Sequence, residues 1–393
     1  MSFKSVALGD VCSITGGGTP SKSNPNFYIG DIPWATVRDM NRDNLEKTDF
    51  KISKEAVKES STNIIPKNNV IIATRVGLGK VCIIKQDTAI NQDLRGVVPK
   101  NEKLLDVNYL FYWFKSISKI IVDAGRGATV HGVTLPFVKS LQIPLPPLSI
   151  QKKIVVKLDA IFSEIEKATA AAEANVKNVE LLFQSYLTQV FERSGEDFLS
   201  TTLGNYYDVR DGTHDSPKFY DSGYPLVTSK NLKNGVISFE KIQYVSKDDF
   251  LSISQRSGVK KGDVLMAMIG TIGNPVVIET DAEFAIKNVA LFKTNINQSP
   301  HFLRYYLGSD YVIRKMEKDA KGATQKFVGL GYLRSFPINV PPIDIQISVV
   351  KELEDYERHT KKLLSFYLNK LNQLLSLKQS ILKQAFNGEL VKE

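Results

Sequence analysis

Apolar residues recur every seven positions across Ile150–Phe191. Leu158, Ile165, Ala172, Val179 and Tyr186 form one series, and Phe162, Thr169, Val176, Phe183 and Val190 the other. No Gly or Pro interrupts them, so the spacing predicts an a/d seam on one long helix that must bury that seam against another helix. At 1.5 Å per residue the helix is roughly 60 Å long. A second stretch, Ile343–Phe386, repeats the spacing with Leu353, Thr360, Tyr367, Leu374 and Ile381. Leu158, Ile165, Val179 and Tyr186 are therefore expected to face Leu353, Tyr367, Leu374 and Ile381 in an antiparallel pair. Leu363-Leu364 and Leu374-Leu375 are double apolar positions that offer a second face to a partner.

Outside these helices the pattern shortens to strand-like runs punctuated by glycine. Val70–Thr74 with Val81–Lys85, and Val264–Met268 with Pro275–Glu279, read as hairpins. Val107–Ser116 and Ser299–Gly308 carry aromatics at helical spacing. Each globular part is thus expected to be α+β. Pro146-Pro147 and Pro341-Pro342 force an extended approach to each long helix, with Ser149 and Asp344 expected as N-caps.

The same unit occurs twice. Val6-Ala7-Leu8-Gly9-Asp10 returns as Thr201-Thr202-Leu203-Gly204-Asn205, and Gly18-Thr19 as Gly212-Thr213. Asn69-Val70-Ile71 with Gly77 and Gly79 returns as Asp263-Val264-Leu265 with Gly270 and Gly273. Gly127-Ala128-Thr129 returns as Gly322-Ala323-Thr324, and Pro146-Pro147 through Gln151 as Pro341-Pro342 through Gln346. Matches in this order at nearly constant offset define an internal repeat. The division expected is a domain at 1–147, a helical spacer at 148–193, a second domain at 194–342 and a second spacer at 343–393. Two similar domains separated by an antiparallel two-helix coiled coil, related by a pseudo-two-fold, would suit two half-sites on a duplex.

Charge changes the picture modestly. Of a net +9 over 393 residues, residues 1–149 supply +6, from 19 Lys and Arg against 13 Asp and Glu. The excess sits on globular surface and points to a polyanion. No 18-residue apolar run and no N-terminal signal pattern occur, so a cytoplasmic protein with no membrane contact is expected. Cys12 and Cys82 have no metal-type spacing, and the four histidines have none either.

Motif tests narrow the chemistry. Around Gly79-Lys80, a P-loop would need Gly and Ser or Thr where Thr74 and Val81 stand, so nucleotide binding fails on spacing. Asn24-Pro25-Asn26-Phe27 approaches an adenine methyltransferase signature but has Asn26 in place of Pro and no leading strand. No cofactor, catalytic or metal set is found. Candidate DNA contacts are Gly18 and Thr19 in the glycine turn, with Arg75 and Lys80 at the first hairpin. Lys260 (with Lys261) is placed near the second hairpin turn. The loops supply Arg126, Thr129 and His131, and Lys321, Thr324, Gln325 and Lys326, a donor and acceptor set suited to base edges. Arg38, Thr213, His214 and Lys230 complete the set.

Gly17-Gly18-Thr19-Pro20-Ser21, Ile32-Pro33-Trp34, the turns Gly77–Lys80 and Thr271–Gly273, both Pro-Pro-x-x-x-Gln segments and the closing Ala385-Phe386-Asn387-Gly388-Glu389-Leu390 together carry a resemblance. In this order the chain resembles the specificity subunit of type I restriction-modification systems. The resemblance implies two target recognition domains, each reading half of an interrupted asymmetric double-stranded DNA site. It also implies helices that set the gap and dock two methyltransferase subunits, to which restriction/translocase subunits add, and a subunit without catalysis of its own. The alternatives are a coiled-coil scaffold with protein-binding ends, and a self-sufficient methyltransferase.

Overall fold

The computed structural model describes residues 3–126, 132–193, 195, 197–281, 283–320, 322 and 326–391, leaving out the side chain of Arg126. The chain is α+β and forms two compact units: Met1–Ala172 with Asn369–Glu393, and Glu173–Leu368. Each long helix contributes to both.

In the first unit, strand Val70–Ala73 pairs antiparallel with Val81–Ile84 and with Leu94–Pro99, which in turn pairs with Cys12–Gly16. Asn44–Leu45 closes this five-stranded sheet beyond Val81–Ile84. One sheet face carries Ile71, Ala73, Cys82, Ile84 and Leu94 against Ala35, Ile65 and Ile90 of a four-stranded sheet. The other face packs on the helix Val107–Ser116, whose Tyr109, Trp113 and Phe114 are almost wholly buried. Removing each such side chain from water contributes roughly 1.5–3 kcal/mol, which holds helix to sheet. The second unit repeats this with a four-stranded sheet, a separate three-stranded sheet and the helix Pro300–Leu307.

The long helices are Leu148–Phe191 and Ile343–Phe386, 44 residues each. Their seams are inward: Leu158, Ile165, Ala172 and Val179 are buried, as are Leu353 and Thr360, while Tyr186, Tyr367, Leu374 and Ile381 are half-buried. Within the first unit Lys157 Nζ donates to the Leu390 carbonyl at 2.8 Å and Lys378 lies 3.6 Å from Glu166. Within the second, Tyr186 stacks on Tyr356 with centroids 4.4 Å apart and hydrogen-bonds Glu352, and Phe183 stacks on Tyr356. In both units the partner number falls as the helix number rises, so the helices run antiparallel there.

The second helix spans the expected Ile343–Phe386, but both N-caps differ from expectation by two residues. Pro147 and Pro342 hold the N-cap position, since their carbonyls accept from Gln151 N at 3.1 Å and Gln346 N at 2.9 Å. Ser149 and Asp344 therefore lie inside the first turn. The glutamines explain the motif better. Gln151 is fully buried, accepts from Asp106 N at 2.9 Å and donates to the Leu104 and Pro146 carbonyls, both at 2.8 Å. Gln346, equally buried, accepts from Ser299 N at 3.0 Å and donates to the Pro341 carbonyl at 2.9 Å and to Tyr206 Oη at 3.2 Å. Each clamps a long helix to the start of the short aromatic helix of its own unit.

The helix ends repeat as well, which heptad spacing alone conceals. Gln184-Ser185, Leu187, Gln189 and Phe191 correspond to Gln379-Ser380, Leu382, Gln384 and Phe386. Phe191 meets Phe302 in the second unit with centroids 5.4 Å apart, and Phe386 meets Tyr109 in the first at 5.1 Å. Among the described residues no helix is long and apolar enough to cross a membrane.

Candidate nucleic-acid interface

In the first unit the tight turn after Val70–Ala73 needs Gly77 and Gly79 at φ +68° and +86°, where a side chain would strain the backbone. It also needs them small: a Cβ on Gly77 would lie 2.5 Å from Val37 Cγ1, and one on Gly79 2.5 Å from Ser118 Oγ. The turn is thus pressed between the short 3-10 segment Val37–Asp39 and the helix Ser118–Arg126. Arg75 and Lys80 are exposed beside it, with Lys80 Nζ 3.5 Å from the Val37 carbonyl and from Asn41 Oδ1. Arg38 is exposed on the 3-10 segment, which Asp39 caps by accepting from Thr36 N at 2.7 Å. Val133 N donates to the Thr74 carbonyl at 2.8 Å, so the chain returning from the Arg126–His131 loop rejoins the hairpin at its tip. Arg38, Arg75, Lys80 and the two ends of that loop are therefore brought together. Thr129 and His131 lie outside the described residues, as does the side chain of Arg126.

The second unit repeats the frame. Val328 N donates to the Met268 carbonyl at 3.0 Å and Gly270 N to the Lys326 carbonyl at 3.0 Å, placing the exposed Lys326 at the hairpin tip. Lys230 is exposed on the 3-10 segment Ser229–Asn231, capped like its counterpart by Asn231, which accepts from Thr228 N at 2.9 Å. Lys321, Thr324 and Gln325 lie outside the described residues. Lys260 does not reach the tip, contrary to expectation. It and Lys261 precede the strand Val264–Ala267, where Gly262 N and Ile278 N close the opposite end of the hairpin. The four-residue strand Val264–Ala267, roughly 13 Å long, lies between that end and Gly270.

The glycine turn also needs correction. Gly18 is buried; its N–H donates to the Ile90 carbonyl at 3.0 Å, and its carbonyl accepts from Thr62 Oγ1 at 2.8 Å and Trp34 Nε1 at 3.2 Å. With both backbone groups occupied, Gly18 serves packing and leaves no donor for a phosphate. In the second unit Thr213 N donates to the Ile286 carbonyl at 3.0 Å, and a Cβ on Gly17 or Gly212 would strike the Ile90 or Ile286 carbonyl. The structural counterparts are therefore Gly17-Gly18 and Gly212-Thr213, one residue from the match by letter. Thr19 is exposed and hydrogen-bonds Gln92. His214 is exposed, its ring nitrogens 2.9 Å from Asp211 Oδ2 and 2.8 Å from Asn288 Oδ1. Gln92, Arg95, Arg256 and Asn288 were not among the expected residues; as single polar residues in a strand, loop or helix they carry no motif.

A family model for the type I restriction modification DNA specificity domain matches residues 2–175 and again 213–376. The chain belongs to that specificity family. Two matches in one chain agree with the internal repeat and do not favour a plain coiled-coil scaffold. Among similar proteins, the type I restriction enzyme MjaIX specificity subunit of Methanocaldococcus jannaschii is 22% identical over 405 residues, covering 97% of this chain and 92% of that one. The EcoR124I/EcoR124II specificity subunit of Escherichia coli is 31% identical over 191 residues, 47% of each chain. The fold is shared with the HsdS subunit of Thermoanaerobacter tengcongensis, at a TM-score of 0.60, 21% identity and coverage of 99% and 97%. It is also shared with a chain from a structural study of complex assembly and conformational transition of the type I R-M system, at 0.78, 20%, 99% and 98%. In this specificity family member one bond at the hairpin tip recurs, from Val133 N to the Thr74 carbonyl and from Val328 N to the Met268 carbonyl, while the turn conformation and the side chains on it differ between copies.

Proposed function

We propose that this chain is the DNA-reading subunit of a type I restriction-modification complex and contributes no catalytic group itself. On this reading each copy recognises half of an interrupted, asymmetric sequence in double-stranded DNA. Exposed cations such as Arg38, Arg75, Lys80, Lys230 and Lys326 hold phosphates, while neighbouring side chains read base edges in the major groove. The observation that supports it is the repeated hairpin-tip frame bearing different side chains in the two copies. One frame suits the common task of seating on a duplex, and changed side chains suit two different half-sites.

The long helices would set the unspecified gap and dock two methyltransferase subunits, through which restriction/translocase subunits join. Exposed Leu363, Phe366, Leu368, Leu375 and Leu377 on the second helix support such docking, since solvent-facing apolar side chains at this density are unusual without a partner. Methyl transfer, which needs the base rotated out of the stack, then belongs to those partners. The proposed division is recognition at 1–147 and 194–342 and spacing at 148–193 and 343–393.

The test is the insertion or deletion of about one helical turn within residues 160–185, in the full chain expressed with its methyltransferase subunits. Mapping methylated sites in host DNA is expected to show a changed gap with both half-sites retained. A change in half-site identity at constant gap would overturn the spacer role.

A further inference from the structure

We infer that Arg95 in the first copy and Arg256 in the second are specificity-determining residues, each presenting a guanidinium to a guanine of its own half-site. This rests on the bipartite reading above. The strand Cys12–Gly16 places Gly16 opposite Arg95, and the strand Asp208–Asp211 places Asp211 opposite Ala290. Gly16 and Arg95 thus correspond to Asp211 and Ala290. A Cβ on Gly16 would lie 3.3 Å from Arg95 Nη1, so the Arg95 guanidinium fills the side-chain space of position 16. In the second copy that space holds the Asp211 carboxylate, which accepts from Arg256 Nη2. Arg256 arrives from the helix Lys247–Ser257, not from the sheet. Two unrelated sequence positions therefore bring a guanidinium beside equivalent strand positions, 16 and 211, at the hairpin-tip end of the main sheet.

A second group recurs beside each arginine. Thr19 bonds Gln92 in the first copy, and His214 lies 2.8 Å from Asn288 in the second, on backbones held by the matching Gly18–Ile90 and Thr213–Ile286 bonds. The chemistry changes while the position does not, as reading two different half-sites requires.

Burial argues that the second cluster is oriented for a ligand. The Asp211 side chain is 5% exposed, whereas those of Arg256 and His214 are 60% and 58% exposed. A buried carboxylate needs such partners, and they in turn are fixed pointing outward. Among the described residues Arg256 spends only Nη2 on a protein acceptor and Arg95 only Nη1, on the Leu94 carbonyl at 2.9 Å and the Gln92 carbonyl at 3.2 Å. Each keeps donors of its planar fork for the two acceptors, O6 and N7, that guanine shows in the major groove. Burial and then the nearby Arg75 hold the Arg95 guanidinium below its ordinary pKa, a clustering of like charge that an incoming polyanion relieves.

The test uses the full chain with its methyltransferase subunits and maps methylation in host DNA for wild type, R256A, R256K and R95K. If wild type yields no bipartite motif, the proposed function fails and this inference with it. Given a motif, R256A and R256K are expected to relax one guanine position of one half-site, with discrimination falling about 10- to 100-fold and the other half-site unchanged. R95K is expected to relax only the other half-site. Unchanged motifs overturn the inference. So does a uniform loss of methylation with motifs intact, the signature of phosphate contacts. Should R95K or R256A lower the melting temperature, R256K, which keeps a cation beside the buried Asp211, decides the question.

Discussion

The two copies agree where backbone meets backbone and diverge where side chains meet solvent. Gln151 and Gln346 make matching clamps, and Leu8 N and Leu203 N donate to the Leu141 and Phe336 carbonyls at 2.8 Å each. At the tip, by contrast, Arg75 corresponds to Ile269 and Lys80 to Asn274 by hairpin register. Copies kept alike inside and unlike at one rim separate two requirements. The interior must present a rim in a fixed frame, and the rim must differ for each target.

The largest expected effect tests the alike half of that contrast. Gln151→Ala removes the partner of Asp106 N and of the Leu104 and Pro146 carbonyls, and Gln346→Ala does the same to Ser299 N and its neighbours. Stranded buried groups cost about 1–3 kcal/mol each, so each variant is expected to lose about 4 kcal/mol of stability in its own unit. Hydrogen exchange under mild urea, followed at Leu104–Tyr109 and Asn297–Leu303, measures both. A loss in one unit without a comparable loss in the other would break the claim that the clamps are equivalent.

Much of this frame is legible without coordinates, and its limits have physical causes. Heptad spacing locates both long helices because a seam must stay on one side for twelve turns, and paired prolines mark their starts because no helix runs through them. The glycine turn aligned wrongly by one residue because matching letters favoured Gly-Thr, whereas the fold matches positions whose amides donate to Ile90 and Ile286. Arg95 and Arg256 carry no sequence signal, because their neighbouring locations are created by strand register and by a helix end, neither of which is local in sequence. Proximity along the chain is a guide to the hairpin cations that puts Arg75 beside the turn but misplaces Lys260, which lies on the far side of a strand.

The next effect concerns a difference inside the copies. In the first, Tyr112 donates to Asp159 on the long helix that follows its domain; in the second, Tyr305 donates to Glu357 at 2.7 Å, joined by Arg304 at 3.0 Å and Lys361 at 2.9 Å. Burial alone would raise the Glu357 pKa, but the bonds from Tyr305, Lys361 and Arg304 outweigh it and hold the carboxyl at about 2 against an ordinary 4.5. A lowered folded-state pKa means stabilisation fully present above pH 4.5 and lost as pH falls toward 2. The shift corresponds to something on the order of 3 kcal/mol. Urea midpoints of the second unit are therefore expected to fall between pH 5 and pH 3 in wild type and to change much less in Glu357→Gln, which starts lower. An equal pH dependence in that variant would assign the acid sensitivity elsewhere.

The smallest effect sharpens the contrast at the rim. Lys326 and Lys260 are both exposed lysines of the second copy, but Lys326 sits at the hairpin tip and Lys260 at the other end of Val264–Ala267. That strand alone, roughly 13 Å long, exceeds the screening length of about 8 Å at physiological salt, so a duplex seated on the tip feels one charge and scarcely the other. Lys326→Ala is expected to weaken duplex binding by the assembled methyltransferase complex several-fold and to reduce the log–log salt slope by about 1, as loss of one phosphate contact requires. Lys260→Ala is expected to leave both unchanged. The same slope change for both lysines would mean that the duplex lies along the hairpin and not across its tip, and the rim would then have to be redrawn to include the strand itself.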